Sequence, residues 1–347
     1  MIVVKPLNID DSPKYTYRTR VAKIKISSSV SIETPIRAIT NSEMNAKKTI
    51  PTPVEINAEI GGVILKFTDK RTRNIKDFIS KNKKFNDIKK VVISHLVTMQ
   101  YFNLRYVLLQ PTSSALNYLH TSDSILEKFI RLQCILQKDI EEYNLNIITI
   151  PWLNLPIEKF KQVHKKYVES NPNKTIMPVI DPGCDENLLN DILEYVISCE
   201  DNDTLNLIGI LYKSFRNYRV SYDTIWNSLY DKNIGIVMLD VKRSLSSLYN
   251  VSGVHYGEFV VGDILSSYVG VGGPIQKTVN PKPIGQELKL FRKRLLDVTS
   301  LSNEIISNPK WVDDIILETN EKSIKNPLLN YQEAEHDKNK KQYFMQY

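Results

Sequence analysis

The chain has 347 residues, 42% hydrophobic and 24% charged. That is enough apolar material for one barrel of about 250 residues with terminal additions, or for two smaller domains, and it excludes a wholly disordered chain. The net charge of +7 suits a phosphate-backbone partner and equally suits plain solubility.

Residues 1–14 are polar and punctuated by proline, and read as a lead-in. From Tyr17 to Ile26, Val21, Ala22, Ile24 and Ile26 alternate with Lys23 and Lys25, the period of a half-buried strand. Ser27-Ser28-Ser29 signals a turn, and Val30-Ser31-Ile32 starts the return, so residues 17–33 predict a β-hairpin. Pro35 to Ile39 is a short apolar strand, followed by a helix start at Thr40 or Asn41. Residues 58–67 read as a strand. Residues 74–100 read as helix, with a lysine-rich wet face at Lys81 to Lys90.

A rhythm follows. Strands are expected at 105–109, 146–153, 175–180, 205–211, 234–239 and 259–264. Helices are expected at 114–138, 157–169, 185–199, 222–230 and 245–249. Strands alternating with helices at this spacing imply a parallel sheet with right-handed crossovers. Counted from Pro35, eight strands predict an α/β fold of the (β/α)8 TIM-type barrel class, with an N-terminal β-hairpin and a C-terminal helical or disordered tail. The expected domains are 1–34, 35–270 and 271–347. A doubly wound open sheet is the rival, but no G-x-G-x-x-G occurs in the sequence, and that fold would want one. Residues 268–285 are rich in glycine and proline, residues 286–307 are amphipathic, and residues 320–347 are polar.

Three cysteines, Cys134, Cys184 and Cys199, lack C-x-x-C spacing. They argue against a disulfide framework and structural zinc, and for a reducing cytoplasm. No cofactor is expected. The N-terminus lacks a signal-peptide core and no 18-residue apolar run occurs, so no membrane partner is expected.

Barrel enzymes carry their chemistry at the C-terminal ends of strands. Asp263 is placed there by the 259–264 strand, before a glycine-rich loop. As a carboxylate it could act as a nucleophile, or equally cap the backbone of the following serines. Asp181 and Asp240 are candidates for acid–base work or for reading a base edge, though Asp181-Pro182-Gly183 is also a plain turn. Gln110, Thr112, Asn154 and Tyr212 lie at strand ends as substrate-binding candidates. Lys213, Arg216, Arg219, Lys242 and Arg243 follow two strands, with Tyr212, Phe215 and Tyr218 interleaved. Cations among aromatics suit a nucleic-acid backbone and an unstacked base, or a solvated loop with buried rings. His255 precedes the last expected strand and carries little weight.

The stretch Arg20-Val21-Ala22-Lys23-Ile24, running on to Glu33-Thr34-Pro35-Ile36, resembles the opening of tRNA-guanine transglycosylases. In that family an R-x-G-x-[IL] strand leads into E-T-P and the first barrel strand. The resemblance spans about residues 17–270, in organisation more than in residues. It implies a barrel that exchanges a purine or 7-deazapurine base in tRNA or DNA. The family's nucleophilic aspartate lies in a context like F-D-C-V-L-P-T-R, and Asp263 in Val261-Gly262-Asp263-Ile264 is the matching position. The chain departs from the family elsewhere. The D-S-G-G-F-Q loop is replaced by Gln110-Pro111-Thr112-Ser113-Ser114, a base-reading aspartate by Asn154, and the zinc motif has no counterpart. The expectation is a transglycosylase-like enzyme with Asp263 as nucleophile; a homodimer is allowed. Its rivals are a non-catalytic barrel that binds nucleic acid or a protein, and a small-molecule barrel enzyme.

Overall fold

The computed structural model describes residues 2–10, 19–28, 30–34, 36–38, 55–57, 60–69, 73–98, 102–143, 145–200, 205–213, 217–241 and 262–267. The expected helix start at Thr40 or Asn41, the helix at 245–249, His255 and everything after Ser267 lie outside them.

The described strands form two sheets. The smaller is antiparallel: β1 (Val3–Asp10), β2 (Thr19–Lys25) and β3 (Ser31–Glu33). Residues 3–10, read from sequence as a lead-in, are therefore a strand. Pro6 and Asn8 obscured it, and the register with β2 slips between those two residues.

The larger sheet contains β4 (Ile36–Ala38), β5 (Glu55–Asn57), β6 (Ile60–Phe67), β7 (Leu104–Pro111), β8 (Ile147–Ile150), β9 (Thr175–Ile180), β10 (Leu207–Leu211), β11 (Gly235–Val241) and β12 (Ile264–Ser267). Their order is β5-β4-β12-β11-β10-β9-β8-β7-β6, and every pairing between them is parallel. The two strands that end this series, β5 and β6, stand two residues apart in the chain. β5 was not foreseen from sequence.

The sheet curls into a nearly closed, barrel-like form. Tyr106 on β7 and Ser266 on β12 share a hydrogen bond between their hydroxyls, although four strands separate them in the order. Neighbouring strands lie about 4.8 Å apart, so on a flat sheet these two would stand more than ~20 Å apart. Because both faces are covered, strands such as β7, β9 and β11 are buried along their whole length, the expected state of a parallel sheet.

The helices pack outside. They are α1 (Ile75–Ser80), α2 (Asn82–Thr98), α3 (Ser113–Leu119), α4 (Asp123–Asp139), α5 (Ile157–Ser170), α6 (Glu186–Glu200) and α7 (Arg219–Leu229). Asn74 starts α1 by accepting hydrogen bonds from the amides of Lys76 and Asp77 at 2.8 and 3.3 Å, and the extended backbone of Lys81 divides α1 from α2. On α4 the buried residues Leu126, Phe129, Ile130, Gln133, Leu136 and Gln137 follow the 3–4 residue spacing of one helix face. Among the described residues no helix is long and apolar enough to cross a membrane.

Candidate functional site

Each end of the barrel-like sheet carries charge. At the N-terminal end, the floor, the amide of Ile2 donates to Thr175 Oγ1 at 2.9 Å, and Asn206 Nδ2 donates to the carbonyl of Ile2 at 2.7 Å. Both partners stand at strand starts, so the small sheet covers this end. Arg20 on β2 is buried here. Its guanidinium donates to the carbonyls of Leu229, Lys232 and Ile234 at 2.7, 3.0 and 2.6 Å, and lies over the Trp226 ring at 5.6 Å. It also grips both carboxylate oxygens of Asp263, with Nε 3.1 Å from Oδ1 and Nη2 paired to Oδ2.

This corrects the sequence reading of Asp263. The described strand begins at Ile264, after the aspartate, so Asp263 stands at the N-terminal end of β12. It is 3% exposed. The amide of Ile236 donates to Oδ2 at 2.8 Å and Thr34 Oγ1 to Oδ1 at 3.4 Å. A carboxylate so enclosed and so fully hydrogen-bonded has no open approach for a sugar. It fastens the small sheet to the floor.

The C-terminal end, the mouth, is built differently. Asp240 lies near the end of β11, where the register with β12 shifts between Leu239 and Val241. Leu239 pairs with Ser266 and Val241 with Ser267, which leaves Asp240 as the extra residue of a bulge. Its φ of 59° is left-handed, a conformation costing roughly 1–3 kcal/mol in a non-glycine residue. Bulges re-aim side chains. Here the carboxylate meets the ammonium of Lys66, which projects from β6. The lysine side chain is 31% exposed and the aspartate side chain 7%, so the pair opens to solvent on the lysine side.

Beneath it lies Tyr106. Gly62 on β6 permits this, because a Cβ there would stand 2.0 Å from the Tyr106 ring. Burial pushes the Tyr106 phenol well above its ordinary pKa. The hydrogen bond to Ser266 opposes this shift, and the negative charge of Asp240 adds to it.

The sequence reading included Asp240 but passed over Lys66, Tyr106 and Ser266. Two signals pointed to them: a lone lysine near the C-terminal end of an otherwise apolar strand, and paired glycines inside that strand, which mark a close approach.

A second pair flanks the mouth. Asp181, after β9, accepts from Lys213 Nζ at 2.7 Å and from the amide of Gly183 at 2.8 Å. The Asp-Pro-Gly segment thus forms a turn while its carboxylate holds a cation. Lys213 also lies over the Tyr218 ring at 4.9 Å, and its backbone amide and carbonyl both bond the Tyr222 hydroxyl, at 3.0 and 2.9 Å.

The other candidates differ in what they can offer. Gln110 ties β7 to β8: its side chain accepts from the amide of Trp152 and donates to the Trp152 carbonyl, each at 3.0 Å. That corrects its assignment to substrate. Asn154 is exposed with φ 51°. Thr112 is half-buried before α3, with its hydroxyl 3.2 Å from that of Ser114. Tyr212 is half-buried and joins β11 through its amide, 2.8 Å from the Leu239 carbonyl. Arg219 pairs with Asp223 on α7 at 3.8 Å. Arg216, Lys242 and Arg243 lie outside the described residues.

No family model matches the chain, and no curated protein matches it. The site therefore rests on its own geometry.

That geometry permits definite chemistry. An ionised carboxylate at a strand's C-terminal end can act as nucleophile or base. A lysine beside it, its side chain 31% exposed, can neutralise charge or move a proton. Among the described residues no group of three or more His, Cys, Asp or Glu side chains could hold a metal ion. Cys134 and Cys184 are half-buried and Cys199 is buried, all as free thiols, and burial pushes the Cys184 thiol up to about 11.

Proposed function

We propose that the chain is a (β/α)8 barrel that exchanges a nucleobase in RNA or DNA at its C-terminal mouth. In this reading β5 and β6 act together as one strand, completing eight. Asp240 replaces Asp263 as the carboxylate that attacks C1′ of the sugar. The observation that carries the proposal is the bulge that turns Asp240 toward Lys66 at the end where barrel enzymes work. Aspartate suits the step because it is ionised at neutral pH and its sugar ester can be displaced by an incoming base. Lys213 and Arg219 lie where a phosphate backbone could run past the mouth, and Tyr218 offers a ring. A cytoplasmic setting fits three free thiols.

The test is incorporation of labelled guanine or 7-deazaguanine into tRNA and into DNA, with the covalent intermediate trapped on a denaturing gel. Asp240→Asn should lose exchange by about a thousandfold or more and still bind nucleic acid, since it removes the nucleophile without adding bulk. Exchange that persists in this variant would overturn the assignment of Asp240.

One observation favours a second reading, a barrel that binds nucleic acid without chemistry. The loop after β7 has no carboxylate, and Gln110 there is engaged by backbone. Salt-sensitive binding by the wild-type chain with neither exchange nor adduct would select it.

A further inference from the structure

Base exchange needs a proton as well as a nucleophile. A guanine leaves C1′ with the electron pair of the broken bond, and departs readily only if a nitrogen of the base is protonated as it goes. Of the groups around Asp240, Tyr106 is 1% exposed, and its hydroxyl is shared with Ser266. Lys66 differs. Its ammonium is hydrogen-bonded to Asp240 Oδ2, and its side chain is 31% exposed.

We propose that Lys66 is the proton donor to the departing base and the acceptor of the proton from the incoming one. This rests on the base-exchange reading and adds to it the source of the proton. In the first half-reaction an Asp240 oxygen forms a bond to C1′, and the bond from C1′ to the base nitrogen breaks. The electron pair of that bond goes to the base, and a proton passes to the base from Lys66, which becomes an amine. In the second half the amine takes a proton from the incoming base, whose nitrogen bonds to C1′. The ester bond breaks and its electron pair returns to Asp240, restoring carboxylate and ammonium.

The pairing itself times the transfer. While Asp240 is an anion, its carboxylate holds the Lys66 ammonium in an ion pair. As the carboxylate becomes an uncharged ester, that pair is broken, at the moment the base needs a proton. When the ester is displaced the carboxylate charge returns and the pair re-forms. No separate acid is required.

The experiment compares two leaving groups. An oligonucleotide carrying guanine releases an anion unless it is protonated. The same oligonucleotide carrying 7-methylguanine releases a neutral base with no proton. Adduct formation is measured for the wild type, Lys66→Met and Lys66→Arg, with each variant's thermal melting as a fold check. Lys66→Arg keeps a cation beside Asp240 but gives up its proton far less readily. With guanine, both variants should fall by about a hundredfold or more, the scale of general acid catalysis. With 7-methylguanine, Lys66→Arg should stay within about fivefold of wild type on the same reasoning.

Equal losses on both substrates in Lys66→Arg would overturn the proposal and leave Lys66 as a residue that positions Asp240. So would guanine exchange at the wild-type rate in either variant. If the wild type forms no adduct with either oligonucleotide, the base-exchange reading fails and this proposal with it. Adduct formation that requires Asp240 but is indifferent to Lys66 would sink the lysine alone.

Discussion

The floor and the mouth of the sheet each hold an aspartate paired with a cation, and the two pairs are opposites. At the floor, Arg20 and Asp263 have side chains 0% and 3% exposed, and both are surrounded by carbonyls, an amide and a hydroxyl that match them. At the mouth, Asp240 is buried too, its side chain 7% exposed, but the Lys66 and Lys213 side chains are about a third exposed, and Asp240 adopts a backbone conformation that favours glycine. A saturated buried pair resists movement and chemistry alike. The pair at the mouth opens to solvent on its lysine side. The difference teaches that an aspartate beside a strand is not a site by itself; the end of the strand it occupies matters to its role.

The largest expected effect is at the floor. Arg20→Met strands Asp263 and should cost roughly 3–5 kcal/mol, the usual consequence of breaking a buried pair from one side. Chemical denaturation measures it, and a loss under ~1 kcal/mol would end the distinction between the two ends.

The next prediction asks whether burial, rather than the presence of charge, sets the contrast. His164 on α5 is 2% exposed and bonds the Tyr195 hydroxyl through Nδ1 at 2.8 Å. Burial lowers its pKa from 6.5 to about 4. Between these values the unfolded chain binds more protons than the folded one, so stability falls as pH drops through that window and is fully present above it. The fall attributable to this residue is about 3 kcal/mol. Urea midpoints measured from pH 7 to pH 4 should decline less steeply in His164→Gln than in the wild type. Equal slopes would show that the imidazole is already charged in the folded state.

The smallest effect belongs to the mouth. Lys213→Met removes the partner of Asp181 and should change stability by no more than about 1 kcal/mol, as for partly exposed pairs elsewhere. It should also weaken nucleic-acid binding and reduce the salt slope of the affinity by about one contact. A loss as large as that of Arg20→Met would mean that the mouth is as rigidly built as the floor.

Much of the layered α/β order was legible in the sequence, because alternating apolar strands and amphipathic helices need only local pattern. The strand over 175–180 coincides with β9, and that over 58–67 contains β6. The errors arose where local pattern is silent. Phe259 to Ile264 is the more apolar run, yet the described strand is Ile264–Ser267, whose polar Ser266 is satisfied by Tyr106 from across the interior. That shift of a few residues moved Asp263 from one end of the sheet to the other. Asp240 was visible as a strand-end carboxylate. Its partner Lys66 was not, because β6 and β11 meet only through the curl of the sheet.

The bond between Arg20 and Asp263 joins positions 243 residues apart. On a ribosome, Arg20 emerges early and its counter-ion very late. Until then the guanidinium has no carboxylate to accompany it into the apolar floor, and the small sheet has nothing complete to cover. Contacts of such long sequence separation slow folding, and waiting chains expose apolar surface and unpaired strand edges. Synthesis of the chain is thus the period of greatest risk: a message truncated before residue 263 would yield a product with every described strand except β12 and no means of sealing its base.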